Sequence, residues 1–314
     1  MQIKDKIAVI GYGYWGKNHI RILNDMNKLS GVYDLSEDKI KEAKYDGYNV
    51  FTNLDTLIGN SSAAIIATPA NTHFDISNYL IEKLDLLVEK PLSLSVKECD
   101  LLIKKAKKNK RLIMVGHQLH FHGGIKKMYE LIDQNKIGKI KWIYSNRLNM
   151  GKVRNEENVL WSFAPHDISL LLKIAKSKIK KLEVQGTTLF NNNVEDTTLT
   201  SFEFINGIKG HIFVSWFHPF KEQRLVVVGE KGTIVFSDTE DKDKLILYMT
   251  KVSKNPLQVK EHIAKVITYK DREPLLEQSK YFINAIKTRS LKLNTSEEGR
   301  EVIEILEMST KKLN

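Results

Sequence analysis

A glycine-rich turn near the start of the chain has residue types and spacings that suit phosphate binding. The run IAVIGYGYWG begins with apolar residues and then places Gly11, Gly13 and Gly16 in G-x-G-x-x-G spacing. The first glycine permits a tight bend, the second leaves room for a pyrophosphate, and the third lets the next helix pack on the strand. The N-terminus of that helix attracts the anion. The pattern predicts a dinucleotide site, although the same offsets occur in ordinary strand-to-helix turns.

An acidic residue follows at a distance that fits this prediction. The apolar run Leu29 to Tyr33 leads directly to Asp34, and a dinucleotide site places an acid about 20 residues after its glycines. A carboxylate there can accept both hydroxyls of the adenosine ribose, and it would repel the 2′-phosphate of NADP. Asp34 therefore favours NAD as the cofactor. The alternative is a solvated aspartate that opens a turn.

Two further strand ends carry polar side chains that could reach the same ligand. Thr68 and Asn71 follow the apolar run of residues 63–67, and Lys90 follows the apolar run that begins at Asp85. Ligands of parallel sheets bind beyond the carboxyl ends of the strands. A lysine at the end of an otherwise buried strand is therefore predicted to point toward the ligand, whereas each loop residue could equally be structural.

A polar segment at residues 146–172 has the composition of a ligand-binding connection. Its amide and cationic side chains include Asn146, Arg147, Asn149, Lys152 and Arg154. Arginine forks match the oxygens of a diphosphate or a uronate, and lysine adds a point charge. Pro165-His166-Asp167 then predicts the start of a helix, with Asp167 near its positive end. A lone histidine projecting from that start can be structural or functional.

These residues need a scaffold of alternating strands and helices, and the hydrophobic pattern predicts one. Strands predicted at residues 7–10, 29–33, 63–67, 85–89 and 111–116 alternate with helices, which is typical of a doubly wound parallel sheet. From Lys139 onward the pattern changes to long strands, with Asn206-Gly207 favouring a type I′ hairpin. The fold class is therefore α/β. A Rossmann domain (1–118) precedes a C-terminal α+β domain (119–314) built on an open, mostly antiparallel sheet.

The composition limits the classes of function. With 314 residues, 42% of them hydrophobic, the chain can build two cores. The sequence shows no hydrophobic leader and no membrane-spanning run, and the single cysteine, Cys99, cannot form an internal disulfide, so a cytoplasmic protein is expected. The net charge of +11 is spread along helix faces, which argues against nucleic acid and favours steering of an anionic substrate. The histidines His117, His120 and His122 lack the spacing of a metal site.

Four motifs resemble the glucose-fructose oxidoreductase and inositol dehydrogenase (Gfo/Idh/MocA) family over essentially the whole chain. They are GYGYWG, Thr68-Pro69 with Asn71 and His73, Glu89-Lys90-Pro91, and Pro165-His166-Asp167. The resemblance implies an NAD-dependent dehydrogenase with Lys90 and His166 as catalytic residues. It also implies a C-terminal sheet that mediates homodimers or homotetramers. One departure is Ser162, which stands where inositol dehydrogenase-like members have an aspartate, so the group that orients His166 is not identified.

The predicted sites follow from these residues and motifs. The cofactor-binding residues are Gly11, Gly13, Tyr14, Trp15, Gly16, Asp34, Thr68, Asn71, His73, Glu89 and Lys90. The substrate-binding residues are Asn146, Arg147, Asn149, Lys152, Arg154 and His166. No metal is predicted.

Within the family, the segments GYWGKNHIR and NRLNMGKVRNEENVLWSFAPHDIS look most like nucleotide-sugar 3-dehydrogenases. That resemblance implies oxidation of the 3-hydroxyl of UDP-N-acetylglucosamine or its uronic acid to a 3-keto sugar, for the 3-amino sugars of surface polysaccharides. A reductase of a dTDP-linked 3-keto deoxysugar remains an alternative. A non-catalytic NAD-binding sensor is a third hypothesis, which the presence of both Lys90 and His166 disfavours.

Overall fold

The structure is a computed structural model that describes residues 6–151, 157–189, 194–254 and 257–313. The chain forms two compact units, one of residues Met1–Gln118 and Leu275–Glu304, and one of Leu119–Pro274 and Ile305–Asn314. Residues 275–304 were predicted to belong to the second domain, but they group with the first unit. The reason is a set of contacts to its sheet: the Asn294 carbonyl accepts a hydrogen bond from the Val115 N–H, and Arg289 pairs with buried Asp85.

The first unit alternates strands and helices, as the sequence pattern predicts. Its elements are β1 (Ile7–Ile10), α1 (Tyr14–Asp25), β2 (Leu29–Tyr33), α2 (Glu37–Tyr45), α3 (Leu54–Gly59), β3 (Ala63–Ile66), α4 (His73–Leu80), β4 (Asp85–Val88), α5 (Val96–Lys108) and β5 (Ile113–Val115). Helix α2 was not predicted. Its N-cap is Ser36, whose side chain accepts a hydrogen bond from the Lys39 N–H.

The sheet of the first unit is parallel throughout, in the strand order β2-β1-β3-β4-β5. Strands β1, β3 and β4 are buried at every position, as expected for a parallel sheet covered on both faces. Because the strands are parallel, their carboxyl ends meet at one edge. The glycine turn, the loop at Thr68 and the loop at Lys90 therefore lie at the same edge of the sheet. The predicted doubly wound parallel sheet is confirmed.

The second unit is built on an eight-stranded sheet. Its elements are α6 (Gly123–Asp133), β6 (Ile140–Met150), α7 (Val159–Ala175), β7 (Ile179–Thr187), β8 (Thr197–Phe204), β9 (Lys209–Ser215), β10 (Phe217–Gly229), β11 (Gly232–Ser237), β12 (Leu245–Lys254) and β13 (Leu257–Val266). The strand order is β13-β12-β11-β10-β6-β9-β8-β7, and among the described residues of this sheet only β6 and β9 pair in parallel. The predicted open, mostly antiparallel sheet is confirmed, with β13 as an additional strand.

The hairpin between β8 and β9 is present, but its turn differs from the predicted one. A type I′ turn needs positive φ at both central residues, whereas Gly207 has a φ of 84° and Asn206 is not among the residues with positive φ. The loop is also longer than two residues, because the Phe204 N–H donates to the Ile208 carbonyl. The Asn206 carboxamide instead accepts a hydrogen bond from the Ile208 N–H at 3.3 Å.

Two helices end the chain, α8 (Pro274–Thr288) and α9 (Ser296–Leu313). The predicted capping box of α9 is confirmed. The Thr295 hydroxyl accepts from the Glu298 N–H at 3.1 Å, and the Glu298 carboxylate accepts from the Thr295 N–H at 3.0 Å. Within the described ranges, no helix is both long enough and apolar enough to cross a membrane.

Candidate active site

The glycine turn has the geometry that a dinucleotide requires. Gly11 has a φ of 101°, and a Cβ there would lie 2.6 Å from the Ala67 carbonyl oxygen, so only glycine fits. At Gly16 a Cβ would lie 1.8 Å from the Gly11 carbonyl oxygen, because α1 starts directly against the turn. Around Gly13 nothing lies within 4 Å of the Cβ position. This open backbone fits the approach of a pyrophosphate.

Asp34 is held beside this turn by main-chain groups. Its Oδ2 accepts a hydrogen bond from the Tyr12 N–H at 2.7 Å, and its Oδ1 accepts one from the Ser36 N–H at 2.8 Å. These two donors preset the orientation of the carboxylate, and each oxygen keeps capacity for a further hydrogen bond. The arrangement fits the predicted role of Asp34 in binding the adenosine ribose of NAD.

Replacing Asp34 by alanine should weaken NAD binding by about 1 to 3 kcal/mol, the cost of leaving hydrogen bonds to a charged group unmade. NADP should lose little affinity, because removing the carboxylate also removes its repulsion of the 2′-phosphate. Calorimetric titration with both cofactors measures the difference. Asp38→Ala is the control, since the Asp38 side chain is 92% exposed. A parent protein that binds NADP more tightly than NAD would contradict the role of Asp34.

Several other predicted cofactor residues are open to solvent. Tyr14 and Trp15, in the first turn of α1, are 78% and 38% exposed, and their rings meet edge to face with centroids 5.6 Å apart. The Thr68 hydroxyl is engaged with that of Thr72 at 2.7 Å, and Asn71 is exposed. Their contacts with a cofactor stay predictions.

His73 lies inside the first unit, and its predicted contact with a cofactor stays a prediction. It is 1% exposed. Its Nδ1 lies 2.7 Å from the Pro91 carbonyl oxygen, and its Nε2 lies 2.9 Å from that of Thr68. Burial lowers the pKa of His73 below its ordinary value, although the two carbonyls act in the opposite direction. The imidazole is an internal bridge between the loops that follow β3 and β4.

Glu89 is also held inside the unit, and its predicted contact with a cofactor stays a prediction. Its Oε1 accepts a hydrogen bond from Nε2 of His19, on α1, at 2.8 Å. Burial alone would raise the pKa of Glu89, but His19 and the charge of Lys90 hold it below its ordinary value. His19 was missed in the sequence. A histidine within the buried face of α1 is the signal that could have indicated a partner, because buried polar groups are hydrogen-bonded.

The helix that carries His166 begins before the predicted position. Helix α7 starts at Val159, and Asn158 caps it by accepting a hydrogen bond from the Trp161 N–H at 3.2 Å. Pro165 therefore lies inside the helix, where it withholds one N–H from the helical pattern. The apolar residues before it are buried, and their packing outweighs that loss. His166 is half-buried within the helix, not at its start.

Asp167 was predicted to stabilise the N-terminus of a helix. It instead lies inside α7 and has a buried partner. Its carboxylate accepts hydrogen bonds from Arg147 Nε at 2.6 Å, Arg147 Nη2 at 3.1 Å and the Ser145 hydroxyl at 2.5 Å. The Asp167 side chain is 1% exposed and that of Arg147 is 14% exposed. Burial acts to lower the pKa of Arg147, but Asp167 more than offsets it and raises that pKa. The pair ties α7 to β6.

Apart from His166 on α7, the predicted substrate residues that the structure describes lie on strand β6, not in a loop. They are Asn146, Arg147 and Asn149. The Asn146 amide donates to Glu222 at 3.1 Å, and the charge of Arg147 is already balanced by its internal ion pair. Lys152 and Arg154 lie outside the described residues. Substrate contacts of all five stay predictions.

The three closely spaced histidines have separate surroundings. His120 Nε2 lies 3.1 Å from the Ser169 hydroxyl and its Nδ1 lies 2.8 Å from that of Tyr129. His122 caps α6. Burial lowers the pKa of His117 to about 4. Among the described residues, no group of three or more His, Cys, Asp or Glu could hold a metal ion.

The chain matches known proteins over both units. Residues 6–117 match an oxidoreductase family with an NAD-binding Rossmann fold, and residues 125–235 match the GFO/IDH/MocA C-terminal domain. A UDP-N-acetylglucosamine 3-dehydrogenase of Acidithiobacillus ferrooxidans is 24% identical over 196 residues, which span 62% of this chain and 61% of that protein. A myo-inositol 2-dehydrogenase of Thermotoga maritima is 23% identical, over 94% of this chain and 92% of that protein.

Solved structures share the fold. That of UDP-N-acetylglucosamine 3-dehydrogenase GnnA from Acidithiobacillus ferrooxidans has a TM-score of 0.88 at 20% identity, and the match covers 98% of both chains. That of GenD2 from gentamicin A biosynthesis, in complex with NAD, has a TM-score of 0.83 at 21% identity and covers 100% of this chain and 95% of its own. At these identities the likeness establishes the fold alone.

Proposed function

This chain belongs to the GFO/IDH/MocA family of oxidoreductases, and we propose that it oxidises the 3-hydroxyl of a UDP-linked N-acetyl sugar to a 3-keto sugar. The proposed substrate is UDP-N-acetylglucosamine or its uronic acid, and the product would serve 3-amino sugar and surface polysaccharide synthesis. The enzyme is an NAD-dependent oxidoreductase, as predicted from the sequence. The proposal concerns the identity of the substrate.

The observation that carries the proposal is the presence of Lys90 and His166 in a relative of a UDP-N-acetylglucosamine 3-dehydrogenase. NAD, when bound, accepts a hydride from the carbon that bears the hydroxyl. Lys90 would donate a hydrogen bond to that hydroxyl and stabilise the alkoxide charge that develops on its oxygen. His166 would take the hydroxyl proton on an imidazole nitrogen, as a general base.

The charge of the chain also supports an anionic substrate. The net charge is +11, and a positive field raises the encounter rate with a nucleotide diphosphate sugar. The amide of Asn149 on β6 is a candidate hydrogen-bond partner for the sugar or the nucleotide. Neutral cyclitols such as myo-inositol would gain nothing from the net charge.

UDP alone should compete with the nucleotide sugar for the enzyme. The expected contacts to the diphosphate are remote from the reacting carbon, so UDP can form them without the sugar. Raising the salt concentration should weaken UDP binding through screening, and uridine, which lacks phosphate, is the control ligand. The assay follows NADH absorbance at 340 nm with UDP and dTDP sugars and myo-inositol.

The outcomes separate the alternatives. The highest kcat/KM with a UDP sugar supports the proposal, whereas faster turnover of free myo-inositol or glucose would remove it. Preferred reduction of a dTDP-linked 3-keto sugar would indicate the reductase. NAD binding without turnover of any of these compounds would indicate a sensor.

We also propose that the open sheet joins two copies of the chain in a homodimer or homotetramer. The sheet face that carries Tyr144 and Tyr248 has a groove of about 650 Å³. On the same face Trp142 is 39%, Leu199 36% and Val266 46% exposed, and exposed apolar surface of this kind is typical of an interface. Sedimentation equilibrium of the full chain tests this, and a monomeric mass would contradict it.

A further inference from the structure

We propose that two buried histidines, His19 and His73, position Lys90 by holding the residues on either side of it. The inference rests on the catalytic role proposed for Lys90. It assigns to His19, His73 and Glu89 a positioning function that needs no contact with substrate or cofactor. All of them belong to the same compact unit.

The residue before Lys90 is fixed through its side chain. His19 Nε2 donates to one carboxylate oxygen of Glu89 at 2.8 Å, and the Lys90 N–H lies 3.3 Å from the other. Gly116, at the end of the neighbouring strand, encloses the group further, since a Cβ there would lie 2.8 Å from Glu89 Oε2. A buried carboxylate held by these contacts has little freedom. Through His19, the start of the Lys90 loop is tied to α1, the helix of the glycine turn.

The residue after Lys90 is fixed through its main chain. The ring of His73 lies between the Pro91 carbonyl, 2.7 Å from Nδ1, and the Thr68 carbonyl, 2.9 Å from Nε2. A neutral imidazole donates through one nitrogen only, but with either tautomer the ring fills the space between the two loops. His73 is the first residue of α4. It thus ties the Lys90 loop to the loop after β3 and to that helix.

These two contacts matter because a lysine side chain is long and flexible. Its ammonium can stabilise a developing alkoxide only when the main chain delivers it to the reacting oxygen, and a misplacement of about 1 Å can cost on the order of 100-fold in rate. Anchors on both neighbours of Lys90 remove the main-chain freedom at that position. The two hydrogen bonds that orient Asp34 involve neither histidine. The positioning role therefore predicts a loss of kcat with little loss of NAD affinity.

The test uses the full-length protein with His73→Leu, which removes both ring contacts, and His73→Gln, whose amide can still donate to one carbonyl. Leu80→Ala is the matched control, because Leu80 is fully buried at the other end of the same helix and its truncation loosens the packing of α4 away from His73. Three quantities are measured: kcat and KM with the nucleotide sugar, the NAD dissociation constant by calorimetry, and the rate of reductive methylation of the Lys90 amine by mass spectrometry. The last needs no substrate.

His73→Leu should lower kcat by about 10-fold to 100-fold, change the Lys90 methylation rate and leave the NAD dissociation constant within about threefold of the parent. His73→Gln should recover part of the lost kcat and bring the Lys90 methylation rate closer to that of the parent. Leu80→Ala should resemble the parent in kcat and in methylation rate. His19→Gln should act in the same direction as His73→Leu, which keeps a second measurement if the leucine variant does not fold. Parent-like kcat and methylation in His73→Leu would overturn the proposal, as would an NAD affinity that falls in step with kcat. If the parent turns over no nucleotide sugar, the methylation rates still decide the positioning role.

Discussion

Replacing His166 by alanine, or Lys90 by methionine, should each lower kcat by about 100-fold to 10,000-fold, the range that general acid-base catalysis contributes. The alanine removes the proton acceptor. The methionine keeps the length of the lysine side chain and removes the charge that stabilises the alkoxide. NAD affinity should stay nearly unchanged, because the glycine turn and Asp34 are intact in both variants.

The double variant tests whether the two side chains serve one proton transfer. Groups that act as a unit are strongly non-additive, so the double change should cost little more than the worse single change. Initial rates at 340 nm and calorimetric NAD binding provide the measurements. Lys104→Met, on the exposed face of α5, is the control for the loss of a lysine charge.

The pH profile identifies the base. In the parent, kcat/KM should rise with pH as the general base loses its proton, and this rise should be absent in His166→Ala. If the rise persists in that variant and its activity stays within about tenfold of the parent, another group is the base and His166 is structural.

The second large effect concerns stability. Replacing Arg147 by methionine should destabilise the second unit by about 3 to 5 kcal/mol, because Asp167 would remain buried without its cation. The expectation rests on the geometry of the pair: Arg147 donates through two nitrogens to a carboxylate that is 1% exposed. Urea unfolding of the parent and the variant measures the free energy of unfolding.

Two controls separate the buried charge from the loss of a side chain. Removing both charges, with Arg147→Met and Asp167→Leu together, should recover much of the stability, since an apolar pair of similar volume often replaces a buried ion pair. Lys181→Met breaks a pair with Glu183 whose side chains are 65% and 64% exposed, and exposed pairs contribute little. An effect of Arg147→Met as small as that of Lys181→Met would show that the buried pair does not hold α7 on β6.

Features that depend only on neighbouring residues could be predicted from the sequence. The glycine turn could be predicted because a positive φ at Gly11 and close approach at Gly16 exclude other side chains locally. The parallel sheet of the first unit follows from short apolar runs that alternate with helices. The capping box at Thr295 and Glu298 is likewise a contact between residues three positions apart. The family, the cofactor and the class of enzyme followed from the resemblance that four short motifs carry.

Which polar side chains contact each other depends on the tertiary structure. His19 and Glu89 are 70 residues apart in the chain, and Asn294 reaches the His117 carbonyl over 177 residues. Such partners depend on which elements fold side by side, which a period of two or 3.6 residues does not encode. For this reason the sequence did not indicate the contacts that hold His73 and Glu89 inside the first unit.

Contacts between distant elements also explain the start of α7 and the grouping of residues 275–304 with the first unit. A proline is favoured in the first turn of a helix, so Pro165 predicted the start locally. Burial of the apolar turn before it and the Asn158 cap moved that start to Val159. Arg147 was assigned to a ligand by its charge, and the structure adds an internal partner, Asp167, with both side chains largely buried. A buried charge must be paired inside the protein, and only the packed structure specifies the partner.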